Sequence, residues 1–146
     1  MPAGTCYLAE QPLAALLEVT RGLTLLSEAF LDSRRLLTVQ LPHGLPLADL
    51  TAARAYRYGL TAEVAATSNY DMPHAWAAAL RDAGFAGVRY HVRHDPGADL
   101  AGIAWFGRAG RLRHPPSAHR QHVPAALLVK AAPYGVQVAA NLPPVE

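Results

Sequence analysis

The sequence contains almost no cysteine and no long apolar run. A single cysteine, Cys6, cannot form a disulfide bond within the chain. No apolar stretch approaches the roughly 18 to 20 residues that a helix needs to cross a membrane. The first basic residue is Arg21, so the chain does not begin with the charged region of a secretory signal. These absences predict a cytoplasmic protein without a membrane-spanning segment.

Charged residues are also scarce. They make up 16% of the chain, against 51% for hydrophobic residues, whereas roughly 25% is usual for charged residues. This composition excludes a disordered chain, and 146 residues are enough to bury a core, so we expect one domain over residues 1–146. The net charge of +2 suits a small anionic ligand. The basic segment 111–120 has no interleaved aromatic residues, so we predict no direct binding of nucleic acid.

The seven histidines do not form the pattern of a metal site. His91 and His94 are close in sequence, as are His114, His119 and His122, but no cysteine or acidic cluster accompanies them at zinc-like spacing. We therefore predict no metal site.

The start of the chain predicts a strand followed by a helix. Residues 5–8 are a β-branched and aromatic run, which favours a strand. Pro12 suits the first turn of a helix. The next residues at three- and four-residue spacing give that helix one apolar face, formed by Leu13, Leu16, Leu17 and Thr20.

The rest of the chain predicts strands and helices in mixed order. We predict strands at 36–41, 87–92, 102–106 and 134–138, and helices or turns at 23–31, 52–58, 61–66, 73–81 and 124–132. The run 36–41 has no polar alternation before Gln40, which favours a central strand. Thr51 and Asp71 are the expected N-caps, and 114–124 the expected surface loop. Consecutive strands at 87–92 and 102–106 favour an α+β fold, with a mixed central sheet flanked by helices.

Two residues of the first strand and helix are candidates for chemistry. Glu18 lies beside the apolar helical face, and Ala14 and Ala15 one turn earlier leave space for a ligand to approach its carboxylate. Spacing alone favours a solvated glutamate. The strand pattern alone likewise favours a core aromatic for Tyr7.

Several segments of the chain resemble the RES-domain toxins of bacterial toxin–antitoxin pairs. In that family a tyrosine in a "YLA" strand and a glutamate in an "ALxE" helix have the spacing of Tyr7 and Glu18, eleven positions apart. The segments that carry the resemblance, in order, are 5–10, 14–19, 45–51, 71–77, 84–90, 93–96 and 104–107.

The resemblance implies a fold similar to that of ADP-ribosyltransferases and a toxin that degrades NAD. The bond between nicotinamide and ribose would be cleaved by hydrolysis or by phosphorolysis, with NAD as the substrate and no further cofactor. Glu18 would stabilise the ribosyl cation, Tyr7 would orient the dinucleotide, and Arg93 would contact its phosphates. The expected partner is a helix-turn-helix antitoxin of the Xre type.

The sequence departs from the family pattern at two of the three residues for which the family is named. The family arginine normally precedes the tyrosine, and here no arginine occurs before Arg21. Val92 stands where the family has a serine, so only Glu18 of the three is present. The alternative prediction is therefore a truncated or catalytically degenerate RES-like domain that acts only as a binding or regulatory protein.

Overall fold

Strands and helices are interspersed along the chain, and some strands follow each other directly, as the mixed pattern predicts. The computed structural model describes residues 3–60, 67, 69–110 and 119–139. Within these ranges the strands are β1 Ala3–Ala9, β2 Leu25–Ser27, β3 Leu36–Thr38, β4 Leu47–Asp49, β5 Gly87–His91, β6 Ala101–Arg108, β7 His119–Gln121 and β8 Gln137–Ala139. The helices are α1 Pro12–Thr20, α2 Glu28–Asp32, α3 Asp71–Asp82 and α4 Ala125–Ala131, with short 3-10 helices at Ala53–Tyr58 and Ala132–Tyr134.

The largest sheet has four strands in the order β1-β6-β5-β4. β6 runs antiparallel to both of its neighbours, and β4 runs parallel to β5. The predicted α+β fold with a mixed sheet and flanking helices is confirmed. The order also makes β1 an edge strand, although it is the first strand of the chain.

Helix α1 supplies much of the hydrophobic core. It begins at Pro12, and it ends where Arg21 adopts a left-handed conformation and donates its backbone N–H to the carbonyl of Leu17. Its apolar face packs against α4 and the strand ends near Val92, within a cluster formed by Ala14, Leu16, Leu17, Leu26, Val92, Leu100, Leu127, Ala131 and Val136. The predicted helix and its buried face are thus observed, with Thr20 buried as well.

The prediction of a central strand at 36–41 is wrong. Only Leu36–Thr38 is a strand, and it pairs with β7 in a separate two-stranded antiparallel sheet in which Leu37 is exposed. An apolar run indicates that a strand can be buried on both faces, but it does not determine which strand it pairs with. β7 lies where we expected only surface loop.

Other elements differ from the prediction in their type or in the residues at which they begin and end. The segment 23–31 contains β2 as well as α2, and β2 pairs in parallel with β8. Thr51 is not the N-cap of the 3-10 helix, since that position is Ala52; the Thr51 hydroxyl donates to Asp49 instead. Helix α3 begins at Asp71 with Tyr70 as its N-cap, and the last strand begins at Gln137. The turn predicted at 61–66 lies outside the described residues.

No helix in the described ranges is both long enough and apolar enough to cross a membrane.

Candidate functional site

The pairing of three strands places two tyrosines on one face of the sheet. Tyr7 pairs with Ala104, and Tyr90 pairs with Gly102, two residues away along β6. Side chains two residues apart on a strand point to the same face. Tyr7 and Tyr90 therefore project on the same side, with the small residues Ala104 and Gly102 between them. We call this region the tyrosine face.

Tyr7 is the exposed member of the tyrosine face. It lies on the edge strand β1, and 70% of its surface is accessible to solvent. It is not a core aromatic, so its ring and hydroxyl are both available to a ligand.

Tyr90 is half-buried, and its ring lies directly over Gly102. A Cβ atom at residue 102 would be 2.6 Å from Cζ and 2.8 Å from Oη of Tyr90. Glycine at this position therefore lets the tyrosine ring lie close against β6, an approach that a side chain at residue 102 would obstruct.

Glu18 reaches the tyrosine face from the last turn of α1. Burial raises the pKa of the Tyr90 phenol well above its usual range, and the nearby charges of Glu18 and Tyr7 raise it further. The Glu18 carboxylate therefore lies near the Tyr90 phenol, on the face of the sheet that also carries Tyr7. Glu18 is half-buried rather than a freely solvated helix residue.

No hydrogen bond or ion pair among the described residues connects Arg93 to this cluster. It is exposed in the turn after β5, and it makes no hydrogen bond or ion pair with another residue that the structure describes. It follows Tyr90 by three positions, so it lies beyond the end of the same strand.

Val92 belongs to the hydrophobic core. Its side chain is 2% exposed and packs within the cluster that α1 and α4 share. At the position where the resemblance places a serine, the side chain therefore contacts apolar neighbours.

Tyr90 is the member of the site that sequence reasoning missed. The pattern predicts the strand at 87–92, but it singles out Arg93, just beyond that strand, as the residue that contacts the substrate. The signal was present in Gly102, because a glycine inside a strand often marks a place where another group approaches the backbone closely.

A network of charged residues lies on the opposite side of the sheet. Arg89 binds Glu10 through Nε–Oε1 at 2.6 Å and Nη2–Oε2 at 3.0 Å, and it also contacts Asp49 at 3.4 Å and the hydroxyl of Thr51. Because side chains alternate between faces along β5, Arg89 points away from the side that Tyr90 occupies. This network joins β1, β5 and β4 without taking part in the tyrosine face.

The predicted absence of a metal site remains a prediction. Within the described ranges no three His, Cys, Asp or Glu side chains lie close enough together to hold a metal ion. His114 lies outside those ranges.

Fold and site together define an α+β protein with a candidate ligand site, formed by a glutamate and two tyrosines, on one face of a mixed sheet. The sequence model of the RES domain matches residues 2–128, and the chain belongs to the RES domain family. Comparisons with curated proteins and with solved structures find no match.

Proposed function

We propose that this protein degrades NAD by cleaving the bond between nicotinamide and ribose. Membership of the RES family supports this activity. The observation that carries it is the position of half-buried Glu18, whose negative charge acts on the phenol of Tyr90. Tyr90 shares one face of the sheet with the exposed ring of Tyr7. A carboxylate in that place can face the ribose of a dinucleotide that lies on the tyrosine face.

The chemistry requires a negative group close to the reacting carbon. The bond between ribose C1 and the nicotinamide nitrogen breaks, and its electron pair leaves with the nicotinamide, which becomes neutral. The ribose gains oxocarbenium character, which the Glu18 carboxylate stabilises by its charge. An oxygen of water or of phosphate then bonds to C1. The product is ADP-ribose with release of a proton, or ADP-ribose 1-phosphate.

Tyr7 and Arg93 bind the substrate in this proposal. The exposed ring of Tyr7 attracts the cationic nicotinamide ring by a cation–π interaction that weakens once the positive charge is lost. Arg93, exposed just beyond the strand that carries Tyr90, contacts the pyrophosphate of the dinucleotide.

The proposed activity implies a partner and a compartment. A protein that consumes NAD harms the cell that makes it, so we propose a helix-turn-helix antitoxin of the Xre type that covers the tyrosine face. Both proteins would act in the cytoplasm, where NAD is available.

The direct test of the proposed function is removal of the Glu18 charge. We expect purified protein to release nicotinamide from NAD, and Glu18→Gln to lower the rate at least about 100-fold, as loss of a central electrostatic contact does. Glu28→Gln is the matched control, because Glu28 is exposed in the first turn of α2. Assays with and without phosphate identify the acceptor. Nicotinamide release that survives Glu18→Gln would remove Glu18 from the mechanism.

The role of Arg93 is tested by substrate affinity. Arg93→Ala should raise the KM for NAD and leave kcat largely unchanged, because a phosphate contact far from the reacting bond binds substrate and transition state alike. Arg35→Ala is the control, since Arg35 is exposed after the end of α2. An unchanged KM would exclude Arg93 from the binding site.

One observation favours a second function, that of a domain that binds NAD without degrading it. The burial of Val92 leaves no hydroxyl at the position of the family serine. This alternative predicts that calorimetry detects NAD binding, weakened by Tyr7→Ala, while no nicotinamide is released even at high protein concentration.

A further inference from the structure

We infer that Arg81 binds a phosphate group beside the tyrosine face, on the side of Tyr7 that lies away from Tyr90. The inference rests on the proposed cleavage of NAD and deepens it by adding an arginine to the expected set. In that reaction a phosphate group has two sources, the pyrophosphate of the dinucleotide and inorganic phosphate that serves as the acceptor. Both present negatively charged oxygens to a guanidinium in the same way.

The first step is that Arg81 lies on the same side of the sheet as the two tyrosines. Its Cζ atom is 4.7 Å from the centroid of the Phe106 ring. Phe106 is two residues along β6 from Ala104, which pairs with Tyr7, so its ring projects from the face that carries Tyr7. Two residues of a strand span about 7 Å. A ligand that covers Tyr7 and extends along β6 therefore meets the guanidinium of Arg81.

The second step is that the guanidinium is held in place by neutral groups. Arg81 lies in the last turn of α3, and the chain just after α3 is fixed to the sheet, because the carbonyl of Ala86 accepts the backbone N–H of Phe106 at 2.9 Å. Nη2 of Arg81 also donates to the carbonyl of Gly4 in the edge strand, at 3.4 Å. In the part of the chain that the structure describes, no acidic residue forms an ion pair with Arg81.

The third step is that Arg81 keeps hydrogen-bond donors for a ligand. A guanidinium has five N–H donors in a planar fork, and among the described residues Arg81 donates only to Gly4, over a long distance. The side chain is half-buried, so its charge is less screened than that of a fully solvated arginine. A fixed, partly accessible guanidinium with unused donors can bind phosphate through two parallel hydrogen bonds.

The fourth step is the order of charges along the face. Glu18 acts on Tyr90 at one end, and Arg81 lies over Phe106, beyond Tyr7, at the other. The proposed substrate has the complementary charges, a cationic nicotinamide and an anionic pyrophosphate. Complementary charges at two ends of a site orient a ligand. With inorganic phosphate as the ligand, the same cation holds the acceptor on the face that binds the ribose.

The principal test measures binding and does not require cleavage. The probes are ADP-ribose, which carries the pyrophosphate, and inorganic phosphate, each titrated by calorimetry. Arg81→Gln should weaken the binding of at least one probe about 10-fold, as expected for loss of a hydrogen bond between charged groups. Arg81→Lys keeps the charge without the fork and should retain part of the affinity. Arg35→Gln is the matched control, since Arg35 is exposed after the end of α2.

Kinetics distinguish the two sources of phosphate. Contact with the pyrophosphate predicts that Arg81→Gln raises the KM for NAD and leaves the KM for phosphate unchanged. Contact with the acceptor predicts the reverse. Because Arg93 follows the opposite end of this face, the first result also predicts an unchanged KM for NAD in Arg93→Ala, whereas the second leaves the pyrophosphate to Arg93. Either contact predicts a kcat close to that of the wild type at saturation.

A second variant tests how the guanidinium is held. Phe106→Leu keeps an apolar side chain but removes the ring under Arg81, so it should weaken binding of the same probe, by less than Arg81→Gln does. In an Arg81→Gln background it should cause no further loss, because no cation is left to hold. An equal loss in both backgrounds would contradict the role of the stacked guanidinium.

A third measurement uses the wild-type protein itself. The side-chain Nε–H signal of Arg81 can be observed by NMR of nitrogen-labelled protein and assigned by its absence from Arg81→Lys. It should shift when the probe binds, whereas the signal of Arg35 should not.

The outcomes separate this inference from the proposed function. A wild type that binds ADP-ribose through Arg81 yet releases no nicotinamide overturns the proposed function alone. An active wild type whose affinities and KM values are unchanged in Arg81→Gln overturns the phosphate contact alone. A lower thermal midpoint in Arg81→Gln with unchanged affinities would show that Arg81 only ties α3 to the edge strand, which also overturns the contact.

Discussion

Arg89 on β5 binds the carboxylate of Glu10, just beyond the end of β1, through two parallel contacts of 2.6 Å and 3.0 Å. β6 lies between these two strands. The pair therefore ties the edge strand that carries Tyr7 to the middle of the sheet, from the side opposite the candidate site. The position of the tyrosine face therefore depends in part on an ion pair on the other side of the sheet.

Removal of the Glu10 charge should weaken this tie. Both side chains are about one-third exposed, so solvent screens the pair, and we expect Glu10→Gln to lower the free energy of unfolding by only about 0.5–1 kcal/mol. Urea denaturation measures the change, and added salt at about 1 M should reduce it. Glu28→Gln serves as the control. A loss that is independent of salt would mean that packing, not charge, holds β1.

Asp49 makes stability depend on pH at the acid end. Burial opposes its ionisation, but hydrogen bonds from Thr51 and the charge of Arg89 outweigh this, so its pKa is lowered from the ordinary value of 3.8. A lowered pKa in the folded state stabilises the protein fully above that ordinary value, and the stabilisation is lost as the pH falls through the folded value. We expect the thermal midpoint of the wild type to fall more steeply than that of Asp49→Asn below about pH 4. Parallel slopes would contradict the shift.

Local patterns predicted the parts of the fold that depend on local forces. α1 and α3 follow from proline near the helix start and from apolar spacing, and β5 and β6 from short apolar runs next to turns. Strand partners depend on contacts far apart in sequence. The apolar run at 36–41 therefore pointed to a central strand, although its partner is β7.

The candidate site was likewise predicted only in part. Glu18 and Tyr7 could be proposed from a strand and helix close together in sequence. Tyr90 joins them only because β6 lies between β1 and β5, and because Gly102 leaves space for its ring. Neither fact can be deduced from sequence spacing. A glycine within a predicted strand nevertheless indicates that another group can approach the backbone closely there.

Asp95 holds the connection between the two strands on which Tyr90 depends. Its Oδ2 accepts the backbone N–H groups of Asp99 and Leu100, both at 2.7 Å, and its Oδ1 accepts that of Gly97 and the hydroxyl of Tyr134. Asp95 is buried, so truncation leaves amide donors without partners. We expect Asp95→Ala to lower the free energy of unfolding by about 2–4 kcal/mol, measured by urea denaturation.

The control for Asp95 is an aspartate with no such role. Asp32 is exposed at the end of α2, and Asp32→Ala should change stability by no more than about 0.5 kcal/mol. If the two variants unfold alike, the Asp95 hydrogen bonds contribute nothing net, and the β5–β6 turn is held by packing alone.

Val92 offers a direct comparison between core packing and a restored family residue. Val92→Ser reinstates the hydroxyl that the RES pattern has at this position, but it does so inside a cluster that includes Leu17 and Leu100. The change removes two buried methyl groups and buries a hydroxyl among apolar neighbours. We therefore expect it to lower the free energy of unfolding by about 2–4 kcal/mol, without any gain in nicotinamide release.

The matched control is Val129→Ser on α4, where the side chain is 73% exposed and the same change should alter stability by less than about 0.5 kcal/mol. Urea denaturation compares the two variants, and the NAD assay compares their activity. A Val92→Ser protein that unfolds like the wild type and releases nicotinamide faster would show that the hydroxyl reaches the tyrosine face. That result would contradict the assignment of residue 92 to the core, because a side chain enclosed by α1 and the β5–β6 turn cannot also contact a substrate beside Glu18.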